Sequence, residues 1–555
     1  MMDFSFSLIP AIATVLYLLL KLCSWARYYI HGRRSGFPVI VSPAPTKSAP
    51  WLLLGPVLHP VFKRYLPEWI FWRVDISING WEYRRRTEIH DRLGKVFALV
   101  TPDECSLWVA DPVLGNAILQ RRKDFGQPPV VGQIIGFLGP NVISANGDDW
   151  QRQRRLVAPN LNERISQSVW NESCEQAQIM LQYLEKNPGD QTLFGLRTIA
   201  INVLGQAGYG QTERWSPEAN GTEIDPNQDL KSGRAAYFIM TTLIADLFLQ
   251  AAFLPTKLLK MPFMSPKQQL LGRYLENAPR FTKEILNEER QALREKSTPR
   301  NSFLSMLVHQ SDKETSSGST GLSLSEHEIQ GNLFILSTAG YESTGNTMGY
   351  AVILLSAYPE WQMWVRDELQ HLDAEASKWK YEEVFTKCPR TLAVMLETLR
   401  HFTPILHSTR YITEPQQVAD SNGTHLLMPP MEVYVSAHTI HHDPEIWGHD
   451  VDDFRPSRWI DNAGQVITPP KGTFLPWSGG PRVCPGMKMS QVEFVATLAT
   501  LFRSARCEPL QLGKESVEQS RKRFRNMVFK ESVSKLTLQV RDPKEVKLRW
   551  VRETL

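Results

Sequence analysis

Cysteine is scarce in this chain, with six among 555 residues: Cys23, Cys105, Cys174, Cys388, Cys484 and Cys507. No two form a CxxC pair and no group has the spacing of a zinc site. A disulfide framework is thereby excluded, since a chain of this length has core enough without one. Charge of one sign is lacking too: 62 Lys and Arg stand against 58 Asp and Glu, a net charge of +4. That is too little for a nucleic-acid binder. No repeat with a period of roughly 20–50 residues recurs, which excludes solenoids and propellers. No Gly-rich dinucleotide turn follows a strand pattern, so no nicotinamide or flavin module is fused to the chain.

What is present is ordinary globular composition, 42% hydrophobic and 22% charged, with one unusual end. From Phe4 to Leu22 the residues are mostly apolar, close to the ~20 needed to span a bilayer as a helix. Lys21 and Trp25 stand where a transmembrane helix anchors at the interface. A cleaved signal peptide fits less well, because Asp3 replaces the basic start and no small-residue cleavage site follows. Arg27, His31, Arg33 and Arg34 put positive charge after the span, which places the body in the cytoplasm. The expected division is an N-terminal anchor over 1–25, a basic, Pro-rich hinge over 26–50, and one domain over 51–555. Pro38, Pro43, Pro45, Pro50, Pro56 and Pro60 make the hinge stiff and non-helical up to and past that boundary. Long helical patterns dominate that domain, as in Ile329–Tyr358, Leu392–Phe402 and Met487–Phe502. Short strand patterns occur near Val96–Leu99, Leu107–Ala110 and Val433–Ala437. A mainly α fold with small β-sheets follows. Thr212–Asp229 and Ser311–Ser325 read as exposed loops. The sequons at Asn171, Asn220 and Asn422 stay unmodified in a cytoplasmic body.

The sharpest signal is Phe474-Leu-Pro-Trp-Ser-Gly-Gly-Pro-Arg-Val-Cys-Pro-Gly486. Gly479, Gly480 and Pro481 force a tight turn ahead of one cysteine, and a helix pattern starts near Met487. A cysteine before a helix N-terminus meets converging N–H groups and the positive end of the dipole, which favour thiolate. Such a thiolate suits an axial position on haem iron. Arg482 can project towards an anion such as a haem propionate. A buried structural cysteine in a Gly-rich turn is the competing reading of the loop alone. The segment resembles the haem-binding signature of the cytochrome P450 family, Phe-x-x-Gly-x-Arg-x-Cys-x-Gly, with Trp477 at the first aromatic position. The resemblance implies a haem b with Cys484 as the axial ligand of its iron.

Further features extend the resemblance along nearly the whole chain. Glu397 and Arg400 are three apart on an apolar helix pattern and share a face. Arg458, in Pro-Ser-Arg-Trp, completes with them the buried structural triad the family implies. Trp150 and Arg154, at i and i+4 on one helix face, can both donate to a haem propionate. Spacing alone would equally suit an ordinary basic helix. By position relative to Arg400, Arg410 resembles another propionate arginine. The stretch from His438 to Pro444 resembles a structural His-Asp-Pro segment of the family and has no metal-ligand spacing.

Ala339-Gly-Tyr-Glu-Ser-Thr344 lies inside the pattern Ile329–Tyr358. Ala339 and Gly340 are small enough to bring the helix against a haem face. Glu342, Ser343 and Thr344 make an acid–alcohol relay suited to proton delivery during oxygen activation. The bland alternative has the hydroxyls bonded back to helix carbonyls. The family motif has Thr where Ser343 stands, and the missing methyl loosens the rotamer.

Val130–Leu138, Ala235–Leu254 and Pro404-Ile-Leu406 are apolar and suit a lipophilic substrate. The resemblance implies a monooxygenase that inserts one atom of O2 into such a molecule, in style a fungal enzyme of secondary metabolism. Electrons would come from NADPH only indirectly, through a separate NADPH–cytochrome P450 reductase. Arg152, Arg155, Arg366 and Lys488 are candidate contacts for its acidic face. The implied location is the endoplasmic reticulum membrane, single-pass, with the catalytic domain cytoplasmic. Two rivals stay open: desaturation, ring formation or isomerisation on the same haem fold, and a non-catalytic haem-binding membrane protein.

Overall fold

In a computed structural model, the residues described are 4–161, 163–210, 213–217, 227, 229–295, 302–316, 323–421 and 423–553. Side chains at 4–15, 17–18, 164 and 313–316 fall outside that description, as do Asn220, Asn422 and most of the loop expected over Thr212–Asp229. The chain forms two compact units, each assembled from three separate stretches. Their interleaving explains why no linker marks a boundary after Trp51: the chain crosses from one unit to the other five times.

The first unit comprises Met1–Pro128, Leu406–Val451 and Pro470–Val483. Its centre is a sheet of β1 (Val39–Val41), β2 (Val96–Val100), β3 (Cys105–Val109), β4 (Ser408–Ile412) and β7 (Met431–Val435), in the order β1-β2-β3-β7-β4. β1 and β2 are parallel, as are β3 and β7; the other pairings are antiparallel. Every residue of β2 and β3 is buried. The sheet is covered on both faces, so these strands are continuous apolar runs rather than alternating ones. β5 (Gln416–Asp420) and β6 (Gly423–Leu427) form a separate hairpin.

Helix α1 runs Phe4–Arg34, and α2 runs Ala49–Tyr65. Residues 26–34, expected in a non-helical hinge, therefore continue the helix. Trp25 and Tyr28 pack against the sheet's core, which explains its persistence. α2 contains Pro56 and Pro60 internally, so two of the hinge prolines are helical as well. Among the described residues, no helix is long and apolar enough to cross a membrane. The span expected over Phe4–Leu22 falls largely on side chains outside the description.

The second unit comprises Pro129–Ile405, Asp452–Pro469 and Cys484–Leu555, and is mostly helical. Those that position the site, after α3 (Pro112–Gln120) of the first unit, are α4 (Gly147–Val157), α5 (Glu163–Leu184), α6 (Gln191–Tyr209), α7 (Gly233–Asp246), α8 (Glu326–Ala357), α9 (Pro389–His401) and α10 (Met487–Ser504). α8 starts on a capping box: Ser325 accepts from the Glu328 N–H, and Glu328 accepts from the Ser325 N–H at 2.9 Å. It ends where Pro359 follows Tyr358. α6 packs along α8, and α5 along α10. Residues 311–316, expected in a loop, end a helix that begins at Phe303. Two small antiparallel pairs complete the unit: β8 (Ala505–Pro509) with β11 (Leu548–Arg552), and β9 (Val533–Ser534) with β10 (Leu538–Gln539).

Candidate functional site

The cysteine loop leaves the first unit as a rigid turn. Gly480 has φ +66, and a Cβ there would lie 2.3 Å from the Leu119 carbonyl oxygen of α3, so only glycine fits. Ser478 is also left-handed, at φ +62, and its hydroxyl lies 2.8 Å from that of Ser408 on β4. The Leu475 N–H donates to His441 Nε2 at 2.8 Å. A ring nitrogen that accepts must be unprotonated, so His441 braces the loop as a neutral imidazole. Trp477 meets Phe474 edge-on, with ring centroids 6.2 Å apart. Arg482 closes the short 3₁₀ turn Gly480–Arg482 and is half-buried.

Arg410, on β4, is only 2% exposed. Its Nη1 donates to the Thr409 carbonyl at 2.8 Å, while Nε and Nη2 have no partner among the described residues. Burial pushes the guanidinium down to about 10. A buried cation with unmet donors is costly unless an anion reaches it. A haem propionate is such an anion, and the residues present fit the cofactor that the cysteine loop implies.

In the second unit, Cys484 stands three residues ahead of α10. Its side chain reaches the surface, yet desolvation by the protein around it raises its thiol above the ordinary value, opposed by the Gly486 N–H and by Arg154. The Gly486 N–H and Arg154 act towards thiolate, as the loop's place before α10 leads one to expect, and desolvation acts against them. A bound metal cation reverses that balance, because a coordinating thiol loses its proton outright. Arg154, on α4, has its pKa lowered by burial, with Cys484 acting in the opposite direction. Trp150, one turn earlier on α4, is buried.

Glu397 and Arg400, on α9, have no exposed side-chain surface. Glu397 receives Arg400 Nε at 2.9 Å and Nη2 at 2.9 Å, Arg458 Nε at 3.0 Å, Trp459 Nε1 at 2.9 Å and the Arg455 N–H at 3.0 Å. Burial alone would raise this carboxyl; the Arg400 guanidinium holds it well below the usual range. Spacing identifies Glu397 and Arg400 and the family resemblance adds Arg458, but neither assigns a role to Trp459 or His401. Arg400 Nη2 lies 2.6 Å from His401 Nε2. Burial and Arg400 push that imidazole down to about 4, which leaves it neutral.

On α8, Glu342 is 3% exposed. Its Oε1 accepts from the Thr537 hydroxyl at 3.0 Å, and Oε2 has no partner among the described residues. Burial raises the carboxyl to about 7, against Arg197 and Thr537, which lower it. The Ser343 hydroxyl donates to the Ala339 carbonyl at 2.7 Å, the back-bonding alternative weighed above. Thr344 is buried. A Cβ on Gly340 would sit 3.3 Å from Leu204 of α6. Its smallness therefore serves the packing of α8 against α6. Thr537 lies nearly two hundred residues away, and no local pattern announces it.

Other expectations change as well. Arg366 is 5% exposed and donates to the Phe502 carbonyl at 3.0 Å, so it is an interior brace rather than a surface contact. Arg152 is held by Glu328 at 3.0 Å and by the Ser323 carbonyl at 2.8 Å. Lys488 lies 4.0 Å over the Phe385 ring, and Arg155 is exposed. Of the apolar stretch Ala235–Leu254, Ala236, Tyr237, Met240, Leu243 and Ile244 are core.

A family model described as Cytochrome P450 matches residues 69–537. The chain is 31% identical to the phomenoic acid biosynthesis cluster cytochrome P450 monooxygenase of Leptosphaeria maculans, over 93% of this chain and 94% of that one. It is 24% identical to cytochrome P450 monooxygenase prx9 of Penicillium rubens, over 89% and 90% of the two chains. A third relative, cytochrome P450 monooxygenase AOL_s00215g278 of Arthrobotrys oligospora, is 26% identical over 87% and 88%.

Proposed function

Because the chain belongs to the cytochrome P450 family and is a monooxygenase, we propose that it inserts one oxygen atom into a lipophilic intermediate of secondary metabolism. When bound, the haem supplies the oxygen-activating chemistry that the family implies, here as iron protoporphyrin IX. Cys484 is the residue that would hold its iron, and Arg410 and Arg482, with Trp150 and Arg154, are the donors for its carboxylates. Glu342 holds or releases a proton at Oε2 near neutral pH, and Ser343 and Thr344 supply hydroxyls beside it. Electrons arrive through a separate NADPH-dependent flavoprotein reductase, the kind of redox partner that the family implies.

The observation that carries the oxygen-inserting reading is Glu342. A buried carboxyl, raised to about 7 with one oxygen unmet, is poised to exchange protons at working pH. The substrate class rests on half-buried Val130, Val131, Ile134, Ile135 and Phe137, and on the similarity to a protein of the phomenoic acid cluster. A membrane anchor in α1, with the body on the cytoplasmic side of the endoplasmic reticulum, belongs to the same proposal. Its support is the apolar run Phe4–Leu22 within a 31-residue helix, about 46 Å long at the usual rise. Leu54, Val57, Leu58 and Val61 also face outward along α2, a stripe suited to a lipid surface.

The test combines purified protein, a P450 reductase, NADPH and ¹⁸O₂ with extracts of a host lacking the gene. A product heavier than its precursor by one labelled oxygen is expected. A product differing only by hydrogens, or of equal mass, would overturn oxygen insertion in favour of desaturation or isomerisation.

A further inference from the structure

Glu342 is the last acceptor in a line of hydrogen bonds that runs through the second unit and has only one possible direction. At the far end is Arg197 on α6, whose Nε and Nη2 lie 3.0 Å and 2.8 Å from Asn346 Oδ1. A guanidinium only donates, so it fixes which end of the Asn346 amide faces it. The amide nitrogen must then turn the other way, and Asn346 Nδ2 donates to Thr537 Oγ1 at 2.9 Å. A hydroxyl has one proton. With Asn346 donating to it, Thr537 spends that proton on Glu342 Oε1, 3.0 Å away. Every donor in the line therefore points towards the carboxylate.

The line is built rather than incidental. Asn346, Thr537 and Gln539 are 8%, 2% and 5% exposed. Arg197 Nη2 is fixed a second time by Gln539 Oε1, at 2.7 Å. A Cβ at Gly345 would lie 3.1 Å from Arg197 Cα, so the lack of a side chain there lets α6 bring the guanidinium up to α8. Arg197 and Asn346 also line a small cleft with Leu193, Phe194 and Val540, and Arg197 is only half-buried.

We infer that Thr537, oriented by Asn346 and Arg197, is a positioning residue that keeps Glu342 able to ionise within the protein interior. The inference rests on the reading of Glu342 as the proton-exchanging acid. Burial alone would hold this carboxyl neutral, and a carboxyl locked in its neutral form cannot take up a further proton. The donor line stabilises the charged form and brings the midpoint back towards working pH. Other charges face Glu342 too. Asp246, at the end of α7, opposes ionisation, whereas Lys535, before β10, assists it. Tyr341, adjacent in α8, is held neutral by burial. None of these makes a hydrogen bond to the carboxyl among the described residues, and Thr537 does.

The test follows the infrared carbonyl band of the protonated Glu342 carboxyl in the full-length holoprotein through a pH series. Its assignment comes from its loss in Glu342→Gln. Thr537→Val removes the hydroxyl at nearly constant shape and is expected to raise the midpoint by about one pH unit. Thr537→Ser restores the donor and should return the midpoint to within about 0.3 unit of the parent. Asn346→Asp can only accept, so it draws the Thr537 proton away and should also raise the midpoint. A midpoint unmoved in both Thr537→Val and Asn346→Asp overturns the inference. Product formed per NADPH is measured alongside. If the midpoints shift as expected but Glu342→Gln stays fully coupled, the positioning role of Thr537 stands and the proton-delivery reading falls.

Discussion

Arg400 sets Nε on one oxygen of Glu397 and Nη2 on the other, each at 2.9 Å, and neither side chain has exposed surface. Removing one partner strands the other charge where water cannot reach it. Glu397→Ala is therefore expected to cost about 3–5 kcal/mol and to yield little folded holoprotein, as judged by haem content and thermal unfolding. Normal haem content at an unchanged midpoint would refute the structural role. The sign with pH follows from the same pair. The folded-state pKa of Glu397 is depressed, so its contribution is present above the unfolded value of about 4.3. It is lost as pH falls through the folded value, and acid unfolding should be shallower in the variant.

Cys484→Ala should abolish the red-shifted, thiolate-type Soret band of the reduced carbon monoxide complex. Haem binding with an unchanged spectrum would move the axial ligand to another residue.

Arg410 gives a prediction of two opposite signs. Its Nε and Nη2 are buried without partners among the described residues. Arg410→Met should weaken haem retention, measured by transfer to an apo-acceptor. It should leave the haem-free protein as stable or up to about 1–3 kcal/mol more stable, because an unmet buried charge is removed. Loss of stability in both forms would make Arg410 a structural brace.

Ser343 shares its proton with the Ala339 carbonyl at 2.7 Å. If the hydroxyl takes part in proton delivery, Ser343→Ala lowers product formation about 10²-fold while NADPH oxidation continues into hydrogen peroxide. Unchanged coupling would leave the alcohol role to Thr344.

Sequence patterns expose what is local. The cysteine loop, the Glu397–Arg400 spacing and the relay on α8 each occupy a few consecutive residues or turns, so residue type and interval suffice to find them. Partners brought from far away are not written in any interval: Trp459 on Glu397, His441 beneath Leu475, and Thr537 on Glu342. Residue type also says little about depth. Arg366 looks like a surface arginine in the sequence, yet it donates to carbonyls at the end of α10 and beyond. Pro56 and Pro60 suggest a hinge because proline breaks helices in isolation, whereas α2 carries both. Of the five-stranded sheet, β2, β3 and β7 show as strand patterns, whereas the three-residue β1 and the polar β4 do not. The strand order does not show either, because β7 and β4 reach the sheet from more than three hundred residues downstream of β1.

Glu342 and Thr537 lie 195 positions apart. At the usual synthesis rate of about 5–20 residues per second, the acid leaves the ribosome about 10–40 s before its donor. Cys484 also emerges within that interval. A chain interrupted there carries the cysteine and the acid without the hydroxyl that meets Glu342, so desolvation would go unopposed from that side. Translation order thus places the setting of this proton after the cysteine and the acid have both emerged.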